Sequence, residues 1–322
     1  MVHKIKPLPF KPPRLIGFSE KLVASHYENH YGAGVRQLNM VETEIAAIDW
    51  KIATRSAISG LMNEKLAVTN SVMLHEVYFD SLGGEDGIGG PTTDPTGDLA
   101  QANIRDFGSV ADWRYEFGSL GAASIDGSSW VILQWNGFSE RLENVLAANH
   151  SQMTTFSVPI LAIDMYEHAY MSDFEYKVTD YIEVFLENVH WDRAAVRFAA
   201  AMRLAELPLP PNDEQALMSP EDLLKSMSGK NAPVVLDVCL VDDLPTRHDQ
   251  LTGAVCVKSH EVAQSLSALS KDKPIVAYCM YGFQVSENAV KELRALGFDA
   301  HRLAGGISGW RAMGGLTVPY KP

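Results

Sequence analysis

The sequence predicts two folded domains, an α+β domain followed by a smaller α/β domain with a parallel sheet. The chain has 322 residues, more than one average domain, and its hydrophobic content of 46% is enough for two cores. The stretch Leu207-Pro-Leu-Pro-Pro-Asn-Asp-Glu214 contains clustered prolines, which prevent a helix and favour a stiff, extended chain. We therefore expect one domain over residues 1–204, a linker over 205–216 and a second domain over 217–322.

The N-terminal domain is predicted to hold a helical hairpin and then an α/β half with a small antiparallel sheet. Four prolines before Ser19 indicate an extended start, and apolar periodicity predicts two long helices between Ser19 and Leu82, with a turn region at 45–67. The glycine, proline and aspartate residues of 83–97 predict an exposed loop.

The second half of this domain contains both helical and strand patterns. A helix is expected over 100–120, with Phe107, Trp113 and Phe117 facing the core. Branched and aromatic residues predict strands over 127–135 and 158–163. Helices are expected to close the domain over 173–188 and 191–204.

After the linker, short apolar runs alternate with helical patterns, which predicts a three-layer α/β domain with a parallel sheet. The expected strands cover 234–238, 254–257 and 275–279. The expected helices cover 220–227, 262–269, 287–296 and 307–313. Cys256 lies inside a predicted strand and is expected to be a core residue.

Charge and cysteine content exclude several classes of protein. The net charge of −13 and the absence of lysine or arginine runs argue against a nucleic-acid or anionic-membrane partner. No apolar stretch reaches the roughly 18 residues of a transmembrane helix, and the N-terminus does not resemble a signal peptide. Three cysteines, all in the last third, do not form the disulfide framework of a secreted protein. A cytoplasmic protein is expected.

The apolar run Val158–Ile163 ends at Asp164, and His168 follows four residues later. An isolated aspartate and histidine at this spacing more often cap a turn and fill the interior. Two further histidines, His26 and His75, lie on predicted helices and make a metal site the better interpretation. Three neutral imidazoles and a carboxylate suit a first-row metal, although zinc accepts the same ligands.

The order of these four residues along the chain, together with the motifs around them, is a specific pattern. His26, His75, Asp164 and His168, together with Leu8-Pro9, Glu167-His-Ala-Tyr170 and Asn188-Val-His-Trp-Asp192, resemble the iron/manganese superoxide dismutase family over residues 8–204. The resemblance implies that these four residues bind one iron or manganese ion per chain and that superoxide is converted to dioxygen and hydrogen peroxide. It also implies a homodimer in which Glu167 reaches the partner's ligand histidine and Tyr170 meets His30.

The chain departs from the family around the implied ligands. Gly34 stands where the family has a gateway tyrosine, which Tyr27 or Tyr31 could partly replace. His150 stands where one branch of the family has a glutamine just outside the metal ligands. The alternative is that His150 is a surface loop residue. Trp130 matches a family tryptophan, but Tyr166 replaces another. His150, His30 and Tyr170 are therefore the candidate catalytic residues of this domain, and the departures bear on turnover more than on metal binding.

A reactive thiol is predicted in the second domain. The stretch Tyr278-Cys-Met-Tyr-Gly-Phe-Gln-Val-Ser286 follows a strand and begins a helix, so backbone N–H groups can surround the Cys279 sulfur and lower its pKa. With Leu236-Asp-Val238 and Leu303-Ala-Gly-Gly-Ile-Ser-Gly-Trp310, residues 217–318 resemble a rhodanese-like sulfurtransferase domain. The resemblance implies a persulfide on Cys279, the candidate catalytic residue.

Three positions in this domain weaken the expected sulfurtransfer. Met280, Gln284 and Cys239 occupy places where the rhodanese family often has arginine, so thiosulfate should bind poorly. A buried, inert cysteine in a degenerate domain is the alternative.

The favoured function is a superoxide dismutase with an appended rhodanese-like domain of weak or altered sulfurtransferase activity. One alternative is a metal-binding redox or sulfur-sensing protein, and another is a sulfurtransferase whose metal domain is structural. The complete ligand set favours the first function, whereas Gly34 and the missing arginines favour the alternatives.

Overall fold

The computed structural model describes residues 2–83, 94–124, 128–205, 217–239, 249–258, 262 and 271–320. It divides into two compact units, Met1–Leu207 and Pro208–Pro322. The predicted linker lies outside the described residues apart from residue 205, which ends a helix. Within the described ranges, no helix combines the length and apolarity needed to cross a bilayer.

A helical hairpin forms the first part of the N-terminal unit, as predicted. Helix α1 (Glu20–Ser25) continues through a π-helical turn (His26–Tyr31) into α2 (Gly32–Ala47), which packs against α3 (Arg55–Ser81). The Ser19 hydroxyl accepts from the Leu22 N–H and caps α1. The turn is shorter than the predicted region 45–67 because the helices end at Ala47 and begin again at Arg55.

The prediction of a single helix over 100–120 is wrong. The chain instead forms two helices, α4 (Gly97–Phe107) and α5 (Val110–Ala122), with a break at Gly108. Gly108 has a φ of 91°, which glycine adopts readily and other residues adopt only with strain. The Ser109 hydroxyl then caps α5 by accepting from the Asp112 N–H. Gly97, predicted to end a loop, begins α4, and residues 84–93 of that predicted loop lie outside the described ranges.

A second predicted helix, over 173–188, is also interrupted. It consists of α6 (Met171–Phe174) and α7 (Val178–Glu187), separated at Glu175, which has a φ of 52°. Helix α8 (Trp191–Ala205) closes the unit close to its predicted bounds.

Three antiparallel strands lie between α5 and α6, in the order β2-β1-β3. They are β1 (Trp130–Asn136), β2 (Arg141–Ala147) and β3 (Ser157–Asp164). Strand β2 was not predicted, because its sequence Arg-Leu-Glu-Asn-Val-Leu-Ala contains two charged residues and an asparagine. In the sheet register Trp130 lies opposite Asp164, at the end where β3 terminates.

The C-terminal unit contains a parallel five-stranded sheet, as predicted, in the order β4-β9-β8-β5-β7. In chain order its elements are β4 (Leu217–Met218), α9 (Pro220–Met227), β5 (Val234–Asp237), β6 (Asp249–Leu251), β7 (Val255–Cys256), β8 (Ile275–Tyr278), α10 (Gln284–Ala295), β9 (Ala300–Leu303), α11 (Gly306–Ala312) and β10 (Thr317–Pro319). Strands β6 and β10 form a separate antiparallel pair. The helix predicted over 262–269 lies outside the described residues except at 262.

The prediction that Cys256 is a core residue is wrong. Cys256 lies on the edge strand β7, where both residues are exposed, and its thiol donates to the Gln250 side-chain oxygen at 3.3 Å. An edge strand of two residues has too few neighbours to bury its side chains.

We expect Phe117→Ala to lower the free energy of unfolding of the N-terminal unit by about 3–5 kcal/mol, because Phe117 is fully buried and packs against Trp113. Tyr115→Ala is the matched control on the same helix: Tyr115 is 81% exposed, and its loss should change stability by less than about 0.5 kcal/mol. Denaturant titration followed by tryptophan fluorescence measures both. Equal effects would contradict the assignment of the core face of α5.

Candidate metal centre

Four side chains from separate elements meet at the end of β3. The π-helical turn supplies His26, α3 supplies His75, β3 supplies Asp164, and a 3₁₀ turn over Glu167–Ala169 supplies His168. One candidate ligand atom from each of the four residues lies within 4.8 Å of the others. A π-helical turn is rare and is often found at functional sites, since its extra residue redirects a side chain.

The Asp164 carboxylate is the centre of this cluster and is 0% exposed. Its Oδ2 atom lies 3.0 Å from His26 Nε2, 3.2 Å from His168 Nε2 and 3.5 Å from His75 Nε2. The other oxygen, Oδ1, accepts from the Tyr166 backbone N–H at 2.8 Å. One carboxylate oxygen therefore faces three imidazole nitrogens while the other is fixed by the backbone.

The ionisation states suit metal binding. Burial alone would raise the pKa of Asp164, but hydrogen bonds from His168 and His26 hold that pKa well below its usual range. Burial lowers the pKa of His26 in spite of the Asp164 contact, and it lowers the pKa of His75 to about 3. At neutral pH, His26 and His75 are neutral and Asp164 is ionised, which are the protonation states that metal ligands require.

His75 is already oriented as a ligand. Its Nδ1 atom lies 2.7 Å from the Ser71 carbonyl oxygen, so this nitrogen carries the proton and donates. The lone pair is then on Nε2, which is buried and has no hydrogen-bond partner among the described residues. An unpartnered buried nitrogen facing a carboxylate and two imidazoles fits a metal ion, and the three-nitrogen, one-oxygen donor set suits a first-row divalent metal.

The residues predicted to link two chains lie beside this cluster. The His30 ring stacks on the His168 ring, with centroids 3.6 Å apart and an interplanar angle of 7°. Tyr170 is 5% exposed and stacks on Tyr181 at 5.2 Å, whereas Glu167 is exposed. Glu167 is thus open to solvent within one chain, next to a ligand candidate.

His150 also lies next to the cluster. Its ring stacks on Tyr166 at 4.9 Å, its Nδ1 lies 3.2 Å from the Tyr166 hydroxyl, and its carbonyl accepts from the Asn70 side chain at 2.6 Å. Its Nε2 is buried without a hydrogen-bond partner in the described part of the chain, and its ring centroid lies 6.5 Å from that of His75. Tyr166 was not among the predicted site residues, and no sequence pattern indicated its hydrogen bond with His150.

Gly34 leaves the position of the family's gateway tyrosine without a side chain. A Cβ atom added at Gly34 would meet Val72 Cγ2 at 3.4 Å, so the position faces α3. The Tyr31 hydroxyl accepts from the Lys6 N–H and bonds to Glu76, and the Tyr27 hydroxyl donates to the Lys6 carbonyl. Both hydroxyl groups are therefore engaged with Lys6, in the segment before α1.

Cys279 forms a second candidate site, in the C-terminal unit. It directly follows β8 and is 5% exposed, and its sulfur lies 3.3 Å from the hydroxyl of the fully buried Ser286. Burial raises the pKa of the thiol, but hydrogen bonds from the Ser286 hydroxyl and from the N–H groups of Ser286, Gly282 and Phe283 outweigh burial and lower that pKa. These hydrogen bonds therefore oppose the effect of burial on the pKa of the thiol.

Cys239 lies after β5, the strand that pairs with β8 in parallel. Its backbone N–H donates to Asp237 Oδ1 at 3.2 Å, and its side chain packs against both hydrophobic clusters of the unit. Cys239 and Cys279 therefore both follow the carboxyl-terminal ends of two neighbouring parallel strands.

Known proteins resemble both parts of the chain. Residues 95–197 match the family model for iron/manganese superoxide dismutases, C-terminal domain, and residues 219–313 match the model for a rhodanese-like domain. A superoxide dismutase [Fe] of Cupriavidus metallidurans is 44% identical over 203 residues, which cover 63% of this chain and 100% of the relative.

Two further relatives show the same coverage of the N-terminal part. A superoxide dismutase [Fe] of Aquifex aeolicus is 34% identical over 214 residues, 64% of this chain and 96% of the relative. A superoxide dismutase [Mn] 2 of Haloferax volcanii is 29% identical over 208 residues, 64% of this chain and 100% of the relative. The chain belongs to the iron/manganese superoxide dismutase family and carries a rhodanese-like domain fused after its dismutase-like part.

Proposed function

We propose that the N-terminal unit is a superoxide dismutase that converts two superoxide ions and two protons to dioxygen and hydrogen peroxide. The observation that carries the proposal is the cluster of three imidazole nitrogens around one buried oxygen of Asp164. The names of the relatives, which include both iron and manganese enzymes, support one of these two metals. When bound, such an ion alternates between two oxidation states and so passes an electron from one superoxide ion to another.

Each ligand candidate has a distinct part in this proposal. His75 presents a fixed lone pair because Ser71 holds the proton on its other ring nitrogen. His26 and His168 contact Asp164 through the nitrogens that would bind the ion. Asp164 supplies the negative charge that offsets part of the charge of the ion.

We propose that His150 takes part in proton transfer during the reaction. Because Tyr166 engages Nδ1, the Nε2 atom is left facing the buried interior, with no hydrogen-bond partner among the residues that the structure describes. A nitrogen in that position can hold or deliver a proton to a solvent molecule or small anion beside the ligands. Tyr166 would act through His150 by fixing its ring.

Sulfur transfer at Cys279 is proposed as a second activity. It is supported by the hydrogen bonds that lower the pKa of the thiol and by the match to a rhodanese-like domain. In this proposal the thiolate carries a sulfane sulfur between a donor and an acceptor.

We further propose a homodimer through Glu167, His30 and Tyr170, in the cytoplasm. Glu167 is exposed beside His168, and His30 stacks on that ligand candidate, so a partner chain here would cover the approach to the metal site. Thiols without disulfides suit a reducing compartment.

His75→Ala and Asp164→Ala are each expected to reduce the bound iron plus manganese from near one ion per chain to a small fraction, because each removes one of four ligands. Metal analysis of purified protein, with circular dichroism to verify folding, measures this. His3→Ala, which removes an exposed histidine of the same unit, should retain the ion. A folded Asp164→Ala protein with full occupancy would refute the ligand assignment.

His150→Ala is expected to lower superoxide turnover by roughly 10–100-fold with unchanged metal content, since it removes a group that acts on the proton and not on the ion. Tyr166→Phe should lower it less, because the ring stack survives and only the hydrogen bond is lost. Pulse radiolysis together with metal analysis separates turnover from occupancy. Wild-type turnover in His150→Ala would exclude the proposed role.

Glu167→Ala is expected to shift the chain from dimer towards monomer, because it removes the residue proposed to reach across the interface. Light scattering after size-exclusion chromatography measures the mass over a range of protein concentrations. Glu187→Ala, at another exposed glutamate of the same unit, should leave the mass unchanged. A wild-type protein that is monomeric at all concentrations would rule out the dimer.

A further inference from the structure

The loop after Cys279 presents aromatic side chains and no charge. Its residues 280–283 are Met, Tyr, Gly and Phe, and the uncharged Gln284 and Val285 follow at the start of α10. Tyr281 is 60% exposed and Phe283 is 71% exposed, and both lie within four residues of the thiol. A single exposed aromatic residue needs no explanation, but two beside a reactive thiol in one short loop indicate a contact surface.

The loop is held in place, so the aromatic rings are presented by a fixed backbone. The N–H groups of Ile307 and Ser308 donate to the carbonyls of Cys279 and Met280, at 3.0 Å each. Gly282 has a φ of 76°, and a Cβ atom there would lie 2.8 Å from the backbone nitrogen of Gly306, the first residue of α11. This close approach fixes the loop against the start of α11.

Among the described residues, the charges beside the loop do not favour an anionic donor. The Arg302 guanidinium donates to the Gly282 carbonyl at 3.1 Å and pairs with Glu287 at 3.5 Å. Arg311, on α11, pairs with Asp249. A dianion such as thiosulfate would thus approach a thiolate without an uncommitted guanidinium from either residue.

We propose that the sulfur donor of Cys279 is a persulfide on the cysteine of a peptide or protein segment with apolar neighbours, and that Tyr281 and Phe283 form its contact surface. A persulfide carries at most one charge at the transferring sulfur, and flanking apolar side chains match exposed aromatic rings. This inference rests on the proposed sulfur transfer at Cys279 and names its substrate class.

The transfer balances without an external oxidant or reductant. The Cys279 thiolate attacks the terminal sulfur of R–S–SH, a new S–S bond forms at Cys279, and the S–S bond of the donor breaks. The electron pair of the broken bond leaves on the donor as R–S⁻, and the proton travels with the transferred sulfur. The products are Cys279–S–SH and the donor thiolate.

The test uses the full chain and four donors: two peptide persulfides that differ only in having phenylalanine or aspartate beside the modified cysteine, cysteine persulfide, and thiosulfate. Mass spectrometry of the Cys279 peptide over time gives the loading rate. The phenylalanine peptide should load Cys279 about ten-fold faster than the aspartate peptide or thiosulfate.

Variants test whether Tyr281 and Phe283 form the contact surface. Phe283→Ala and Tyr281→Ala should each slow loading by the phenylalanine peptide about ten-fold more than they slow loading by cysteine persulfide. Leu316→Ala, at an apolar residue of the same unit that is 79% exposed, is the matched control and should change neither rate. Met280→Arg should accelerate loading by thiosulfate, because it adds a cation beside the thiol.

Two results would overturn the proposal, and they differ in scope. Equal rates for the two peptides, or unchanged rates in Phe283→Ala and Tyr281→Ala, would overturn the contact surface and leave sulfur transfer at Cys279 intact. Loading by none of the donors would overturn the sulfur transfer itself and the inference with it.

Discussion

The buried carboxylate of Asp164 is the interaction on which the N-terminal unit depends. An ionised group at 0% exposure costs several kcal/mol unless nearby groups compensate its charge. Here the compensation comes from His26 Nε2, in the π-helical turn of the hairpin, and from His168 Nε2, just after β3, which both lie within hydrogen-bond distance of Asp164 Oδ2. The charge therefore joins the two halves of the unit, since the His26 contact forms when the helical hairpin packs against β3.

The surrounding packing fixes where this charge lies. Trp130 is opposite Asp164 in the sheet, and the Tyr181 hydroxyl donates to the Asp164 carbonyl at 2.7 Å. Farther away, the buried Asn188 side chain accepts from the Ile16 N–H and donates to the Ile16 carbonyl, both at 2.8 Å, and so ties the N-terminal segment to the end of α7. A site assembled from four elements thus rests on hydrogen bonds that reach well beyond it.

Residue patterns predicted those parts of the structure that depend on local or repeated signals. The Ser19 cap, the hairpin and the parallel sheet follow from spacing, and the order of four motifs indicated the ligand candidates that the structure brings together. The breaks at Gly108 and Glu175 were missed because helical periodicity continues across a single residue of positive φ. The contact between His150 and Tyr166 was missed because it depends on the path of the chain after β2, which no periodic pattern encodes.

Both candidate sites contain a buried acidic group at the end of a strand, but different groups surround it. Asp164 is surrounded by imidazoles, whose lone pairs can also bind a cation. Cys279 is surrounded by a hydroxyl and backbone N–H groups, which donate to a thiolate and offer no comparable set of ligands. The first arrangement therefore fits the metal ion that we propose, and the second fits the proposed nucleophile. The chemistry of the groups around each acidic side chain, more than its burial, distinguishes the two proposed roles.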